Sequence, residues 1–167
     1  FYILWPLLLL LLYRPARAKP LFAVASVAAL ASFVFGQAWF SHDPSFVYYM
    51  LPSRTGELLL GALLALAVLR GVARAIPSKV VMPMAASGLL LVTMSMVFLN
   101  EDMVFPGMWA ILPTLGAVLL ILAGQCSKNC ISDLLELKPL VAIGLISYSA
   151  YLWHWPLLAF YRYTHAE

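Results

Sequence analysis

The chain alternates long apolar segments with short polar ones. A membrane-spanning helix needs roughly 20 residues, and the later segments come close to that length, whereas the first is shorter. We therefore expect the chain to begin within a helix. The pattern predicts an all-α integral membrane protein, a polytopic bundle of about six transmembrane segments. These segments are Phe1–Tyr13, Pro20–Phe40, Arg54–Leu69, Val80–Leu99, Met108–Gly124 and Leu140–Tyr161.

Composition supports a membrane environment and excludes other classes. Hydrophobic residues make up 64% of the chain and charged residues 10%, which is too little charge for a soluble domain of this size. The net charge of +3 is spread over the loops, so it does not indicate a nucleic-acid partner. Cys126 and Cys130 lack the two further ligands that a zinc site would need nearby. We expect contact with membrane lipid, and no metal site.

The basic residues predict the topology. Three alternate loops, Arg14–Lys19, Arg70–Lys79 and Lys128–Lys138, hold eight of the ten Lys and Arg residues. Loops rich in Lys and Arg stay in the cytoplasm. This bias predicts a multi-pass protein of the inner (plasma) membrane with an extracytoplasmic C-terminus.

One candidate site lies at the start of the third apolar segment, where Ser53 is expected to be the N-cap. Arg54 and Glu57 are three residues apart and therefore share a helix face. Glu57, Gly61 and Ala65 form a stripe along which another helix can approach closely. Either the charged pair anchors the helix end at the interface, or Glu57 faces a polar cavity where Arg54 binds an anionic group.

A second candidate site lies in the last segment, which contains the run SYSAYLWHWP over residues 147–156. Ser147, Tyr151 and His154 share one helix face. Pro156 lacks an N–H, so it frees the carbonyl of Leu152 and is expected to kink the helix. His154 lies near the depth of Glu57, which makes an approach of the two side chains geometrically possible. Alternatively, His154 is a packed histidine, and the Trp and Tyr residues form an interfacial belt.

No residue of this chain is assigned a catalytic role, and His154 is the candidate for a supporting one. The candidate substrate-binding residues are polar or aromatic side chains on the two helices: Arg54, Glu57, Ser147, Tyr148, Tyr151 and Trp153.

Four blocks of sequence resemble the membrane-bound acyltransferase family 3, of the O-antigen/peptidoglycan O-acetylase type. The resemblance covers nearly the whole chain, and residues 1–167 look like the C-terminal half of that family's transmembrane domain. In chain order the blocks are FYILWP at 1–6, RxxELLxG at 54–61, FPG at 105–107 with PxLG at 113–116, and IGxISYxxYLWHWP at 143–156.

The resemblance implies an enzyme that moves acyl groups, usually acetyl, from cytoplasmic acetyl-CoA onto extracytoplasmic sugars. Acetyl-CoA would be a substrate, with no bound cofactor. The family's catalytic histidine lies in helices that precede the region matched here, so these 167 residues alone are expected to be inactive. An extracytoplasmic SGNH-type domain is expected after Glu167.

The sequence thus predicts an integral-membrane O-acyltransferase acting on cell-envelope polysaccharide. The alternative is the core of a transporter or flippase, in which the same intramembrane polar residues would line a solute path.

Overall fold

A computed structural model describes residues 18–40, 42, 47, 50–99 and 107–165. These residues form helices and connecting turns and contain no strand, which confirms the all-α prediction. The helices are α1 Ala18–Trp39, α2 Leu51–Leu69, α3 Val72–Ala75, α4 Ser78–Phe98, α5 Ile111–Cys126, α6 Cys130–Leu135 and α7 Lys138–His165, with a 3₁₀ turn at Met108–Ala110 that leads into α5.

Four stretches are long and apolar enough to cross a membrane: Pro20–Trp39, Leu51–Leu69, Ser78–Phe98 and Met108–Cys126. They confirm a polytopic membrane protein. The first predicted segment, 1–13, lies outside the described residues. The 28-residue helix α7 was predicted as a span but is not among the four, because its Ser, Tyr, Trp and His side chains lower its mean hydropathy.

The chain divides into two compact units, Phe1–Ser127 and Lys128–Glu167. The first contains α1 to α5, and the second contains α6 and α7. Asn129 begins α6, where its side-chain oxygen accepts a 3.0 Å hydrogen bond from the Ser132 amide. Each unit is described by itself.

In the first unit, α1 and α2 pack closely because Gly56 has no side chain. A Cβ atom at Gly56 would lie 2.9 Å from the carbonyl oxygen of Ala29 and 3.0 Å from a ring carbon of Phe33. The helices are antiparallel, since Arg70 at the end of α2 lies over the ring of Phe22 near the start of α1, 5.6 Å from its centroid. Buried apolar side chains from both helices fill the contact: Ala25, Ala29, Leu59 and Leu63.

A second glycine contact joins α4 to α5. A Cβ atom at Gly88 would lie 2.8 Å from the carbonyl oxygen of Gly116, and one at Gly116 would lie 2.8 Å from a methyl of Val92. The backbones of α4 and α5 therefore touch at this point.

The start of α2 differs from the prediction. The N-cap position is Met50, which makes no side-chain capping hydrogen bond, so the assignment of Ser53 as N-cap is wrong. The helix begins earlier because Pro52, which has no N–H to satisfy, fits into a first helical turn. Ser53 lies inside that turn, 1% exposed, and its hydroxyl donates to the carbonyls of Val47 and, at 2.7 Å, Met50.

The glycine contacts predict opposite effects for two Gly→Ala substitutions in membrane helices. Gly88→Ala should lower the unfolding temperature of the purified protein, because overpacking costs about 1–3 kcal/mol. Gly61→Ala is the matched control, since a Cβ there meets nothing within 4 Å among the described residues. It should be neutral or slightly stabilising, because Ala is favoured over Gly in a helix by about 1 kcal/mol. Equal loss of stability in both variants would contradict the packing described.

Candidate functional site

Arg54 and Glu57 lie in the first two turns of α2, on adjacent turns of one helix face. Both side chains are half-buried, and they lie within electrostatic range of each other, as their spacing predicts. Ionisable side chains inside a membrane-spanning helix are costly, so their presence marks a functional site by default. Arg54 and Glu57 are therefore the candidate centre of a polar site in the first unit, and their substrate-binding role stays a prediction.

Ser32 of α1 is bonded to the same turn of α2. Its hydroxyl donates to the carbonyl of Pro52 and accepts a 2.8 Å hydrogen bond from the amide of Gly56. The side chain is 6% exposed. Sequence reasoning missed Ser32, although a signal was present: it is a polar residue in the small-residue stripe of α1 that also contains Ala25 and Ala29.

Gln37 makes a further link from α1. Its side-chain oxygen accepts a 3.3 Å hydrogen bond from the amide of Met108, at the start of the 3₁₀ turn that leads into α5. Sequence reasoning missed Gln37 as well. Near its C-terminal end, α1 thus contacts both the first turns of α2 and the entrance to α5.

The predicted stripe of Glu57, Gly61 and Ala65 is not the surface on which α1 packs. Gly61 has open space around it among the described residues, and Ala65 is exposed. The close approach takes place at Gly56 instead. Consecutive helix residues point about 100° apart, so Gly56 and Glu57 face different directions. The stripe therefore borders the packed face of α2, and Gly61 and Ala65 on it are open among the described residues of the first unit.

In the second unit, His154 is bonded to its own helix. Its Nδ1 donates to the carbonyl of Tyr151 at 2.5 Å, and the two ring centroids are 5.5 Å apart. The carbonyl of Leu152, which Pro156 is expected to free, is not the acceptor of this bond. A helical side chain points back towards the turn before it, where the i−3 carbonyl lies, whereas residue i−2 is on the other side of the helix. Helix α7 also continues through Pro156.

The other predicted residues of α7 lie on different sides of the helix. The Ser147 hydroxyl donates to the carbonyl of Gly144 at 2.7 Å, in its own helix. Tyr148 and Trp153 are 71% and 65% exposed, and at 100° per residue they point well away from each other. Their substrate-binding roles, and the approach of His154 to Glu57, stay predictions, because α2 and α7 belong to separately described units.

Comparison with known proteins decides the family. The sequence model of the acyltransferase domain of family 3 matches residues 1–165. The chain belongs to this acyltransferase family. The resemblance drawn from the four sequence blocks is therefore confirmed.

Curated relatives are bacterial proteins named for O-acetyl transfer. "Putative peptidoglycan O-acetyltransferase YrhL" of Bacillus subtilis is 33% identical over 95% of this chain and 26% of that protein. O-acetyltransferase OatA of Staphylococcus aureus is 27% identical over 96% of this chain and 28% of its own length. Peptidoglycan O-acetyltransferase OatA of Listeria monocytogenes is 28% identical over 95% of this chain and 27% of its own length. No solved structure matches.

The chain thus spans about a quarter of the length of these relatives. Membership of the acyltransferase family nonetheless gives the polar groups of α2 a chemical context. An acyltransferase must bind and orient an acyl donor and a hydroxyl acceptor, and charged or hydrogen-bonding side chains do this.

The hydrogen bond of His154 predicts different effects for two substitutions. His154→Gln keeps a donor and an acceptor of similar reach but cannot titrate near neutral pH, so it should retain a substantial part of acyl transfer. His154→Leu should lower acyl transfer about tenfold, because it removes the polar ring that bonds the Tyr151 carbonyl. Base-released acetate from cell-envelope polysaccharide, at matched membrane abundance, measures the transfer.

His165 provides the matched control in the same helix. Its Nδ1 also bonds a backbone carbonyl, that of Tyr161 at 3.1 Å. His165→Leu should keep full activity. If His154→Gln and His154→Leu are equally inactive while inserted and folded, His154 belongs to the proton-transfer machinery rather than to a supporting shell.

Proposed function

We propose that this chain is part of an integral-membrane O-acyltransferase that moves acetyl from cytoplasmic acetyl-CoA to an extracytoplasmic cell-envelope polysaccharide. The family match over residues 1–165 supports the reaction class. The names of the curated relatives support acetyl as the acyl group and peptidoglycan as the acceptor. The reaction breaks the thioester C–S bond of the donor and forms an ester C–O bond on a sugar hydroxyl; coenzyme A leaves as the thiol, and the proton lost by the hydroxyl balances its sulfur.

The observation that carries the proposal is the half-buried pair of Arg54 and Glu57 in a helix long and apolar enough to span a membrane. A guanidinium offers several N–H donors in a fixed planar arrangement, which suits a phosphate or carboxylate of the donor or the glycan. Glu57 lies within electrostatic range of Arg54, and its carboxylate can accept a hydrogen bond from a sugar hydroxyl. We assign these residues to substrate binding, and no catalytic base to this chain.

We place the protein in the inner (plasma) membrane, with the basic segments 14–19, 70–79 and 128–138 in the cytoplasm. Helix α2 ends at Leu69, next to the segment 70–79, so its first turn with Arg54 lies towards the opposite, extracytoplasmic side. The C-terminus of the chain is then extracytoplasmic as well. Arg54 and Glu57 are therefore assigned to the acceptor side of the membrane.

The alternative function, a transporter or flippase core, uses the same polar residues to line a solute path. The family match favours the enzyme, since the family is defined by an acyltransferase domain. The two functions differ in product: an enzyme leaves ester-linked acetyl on the polysaccharide, whereas a transporter does not.

Exchanging the two charges tests the substrate-binding role. In the protein that contains this chain, Arg54→Glu combined with Glu57→Arg keeps a pair of opposite charges on one face but reverses their positions. If the pair binds substrate, acetate released by base from the polysaccharide should fall at least about tenfold at normal membrane abundance. Retained transfer in the exchanged variant would refute the role and leave only an interfacial anchor.

Single cysteines test the proposed orientation. Cys126 and Cys130 would themselves react with a thiol reagent, so both are first replaced by Ser. A membrane-impermeant thiol reagent added outside the cell should then modify Asp43→Cys and Asp102→Cys but not Arg74→Cys. The reverse labelling pattern would contradict the topology.

A further inference from the structure

We propose that Ser32 is a positioning residue for substrate binding, because its hydroxyl fixes the turn of α2 that carries Arg54 and leads into Glu57. This inference rests on the proposed function. It adds a residue from a different helix, outside the sequence blocks that carry the family resemblance.

The two hydrogen bonds of Ser32 are the first step of the argument. In an α-helix, the amide of residue i donates to the carbonyl of residue i−4, so the Gly56 amide and the Pro52 carbonyl are the natural partners of one turn. The Ser32 hydroxyl binds both of these groups. Arg54 lies between them in the chain and Glu57 follows directly. The geometry of the turn that carries the charged pair is therefore tied to a side chain of α1.

The membrane environment offers no solvent substitute for this link. Ser32 is 6% exposed, and hydrocarbon provides no water to replace a lost hydrogen bond. Ser26 lies six residues before Ser32 in α1 and differs from it in its partner. Its hydroxyl donates to the carbonyl of Phe22 in its own helix, at 2.8 Å. The hydroxyl of Ser32 serves a neighbouring helix, whereas that of Ser26 does not.

Gly56 allows the link to form. A Cβ atom at this position would lie 2.9 Å from the carbonyl oxygen of Ala29, three residues before Ser32, so a larger residue would push α1 away. Glycine thus keeps the hydroxyl within hydrogen-bonding distance of the turn. Without the hydroxyl, the Gly56 amide and the Pro52 carbonyl lose their partner from α1, and we expect the backbone around Arg54 to shift.

A shift of this kind affects binding more than folding. Misplacing a substrate-binding group by about 1 Å can cost as much as a hundredfold in rate. Because Arg54 is assigned to binding, we expect Ser32→Ala to raise KM for the polysaccharide acceptor about tenfold and to leave kcat within about twofold. A purely structural role would instead lower the amount of active protein and leave KM unchanged.

The experiment measures acetyl transfer by the whole protein, in membranes and at matched abundance, with soluble peptidoglycan fragments as acceptor. Ser26→Ala is the matched control and should leave KM unchanged. Ser32→Thr keeps the hydroxyl and should restore KM to near the wild-type value. If Ser32→Ala does not insert, Ser32→Cys, which keeps the shape and a weak donor, replaces it and should raise KM by a smaller factor.

A double-mutant cycle shows whether Ser32 acts through Arg54. When Arg54→Gln is already present, Ser32→Ala should add less than about twofold, since the group it positions is gone. Fully additive losses, or a KM in Ser32→Ala equal to that in Ser26→Ala, would overturn the inference. Arg54→Gln alone distinguishes failure of the proposed binding site from failure of the Ser32 inference. Unchanged transfer in that variant contradicts the binding site, whatever the result for Ser32→Ala.

Discussion

The close contact of α1 with α2 at Gly56 is the interaction on which the candidate site depends. Two helices approach each other to this extent only when one lacks a side chain at the crossing point. In hydrocarbon, polar groups must find partners within the protein, and the contact brings the Ser32 hydroxyl to backbone groups of α2. A packing feature thereby also fixes the turn that presents Arg54 and Glu57.

The pair α4 and α5 uses glycine differently. Gly88 and Gly116 bring the two backbones together, and the buried Ser95 hydroxyl of α4 donates to the carbonyl of Val92 in its own helix. An apolar cavity of about 240 Å³ lies towards the end of this pair, beside Phe98, Trp109 and Leu112. We place the chemistry at the pair α1 and α2, because its polar link lies at the turn that carries Arg54.

Much of the fold could be predicted from the sequence, because apolar segment length alone defines membrane helices. The pairing of Arg54 with Glu57 followed from i, i+3 spacing. The roles of Ser32 and Gly56 could not be predicted, because they depend on which face of α1 meets α2, and helix periodicity does not specify partners. Ser53 was misassigned because Pro52 allowed an earlier helix start. The carbonyl chosen by His154 depends on its rotamer, which spacing does not give.

Acetyl transfer across a membrane by the purified whole protein tests the central claim most directly. Proteoliposomes would receive acetyl-labelled acetyl-CoA on the face of the basic segments and peptidoglycan fragments on the other. The account predicts ester-linked label on the fragments and loss of most of that label when Arg54 is replaced by Gln. Fragments without label, or equal labelling by the Arg54→Gln protein, would contradict it.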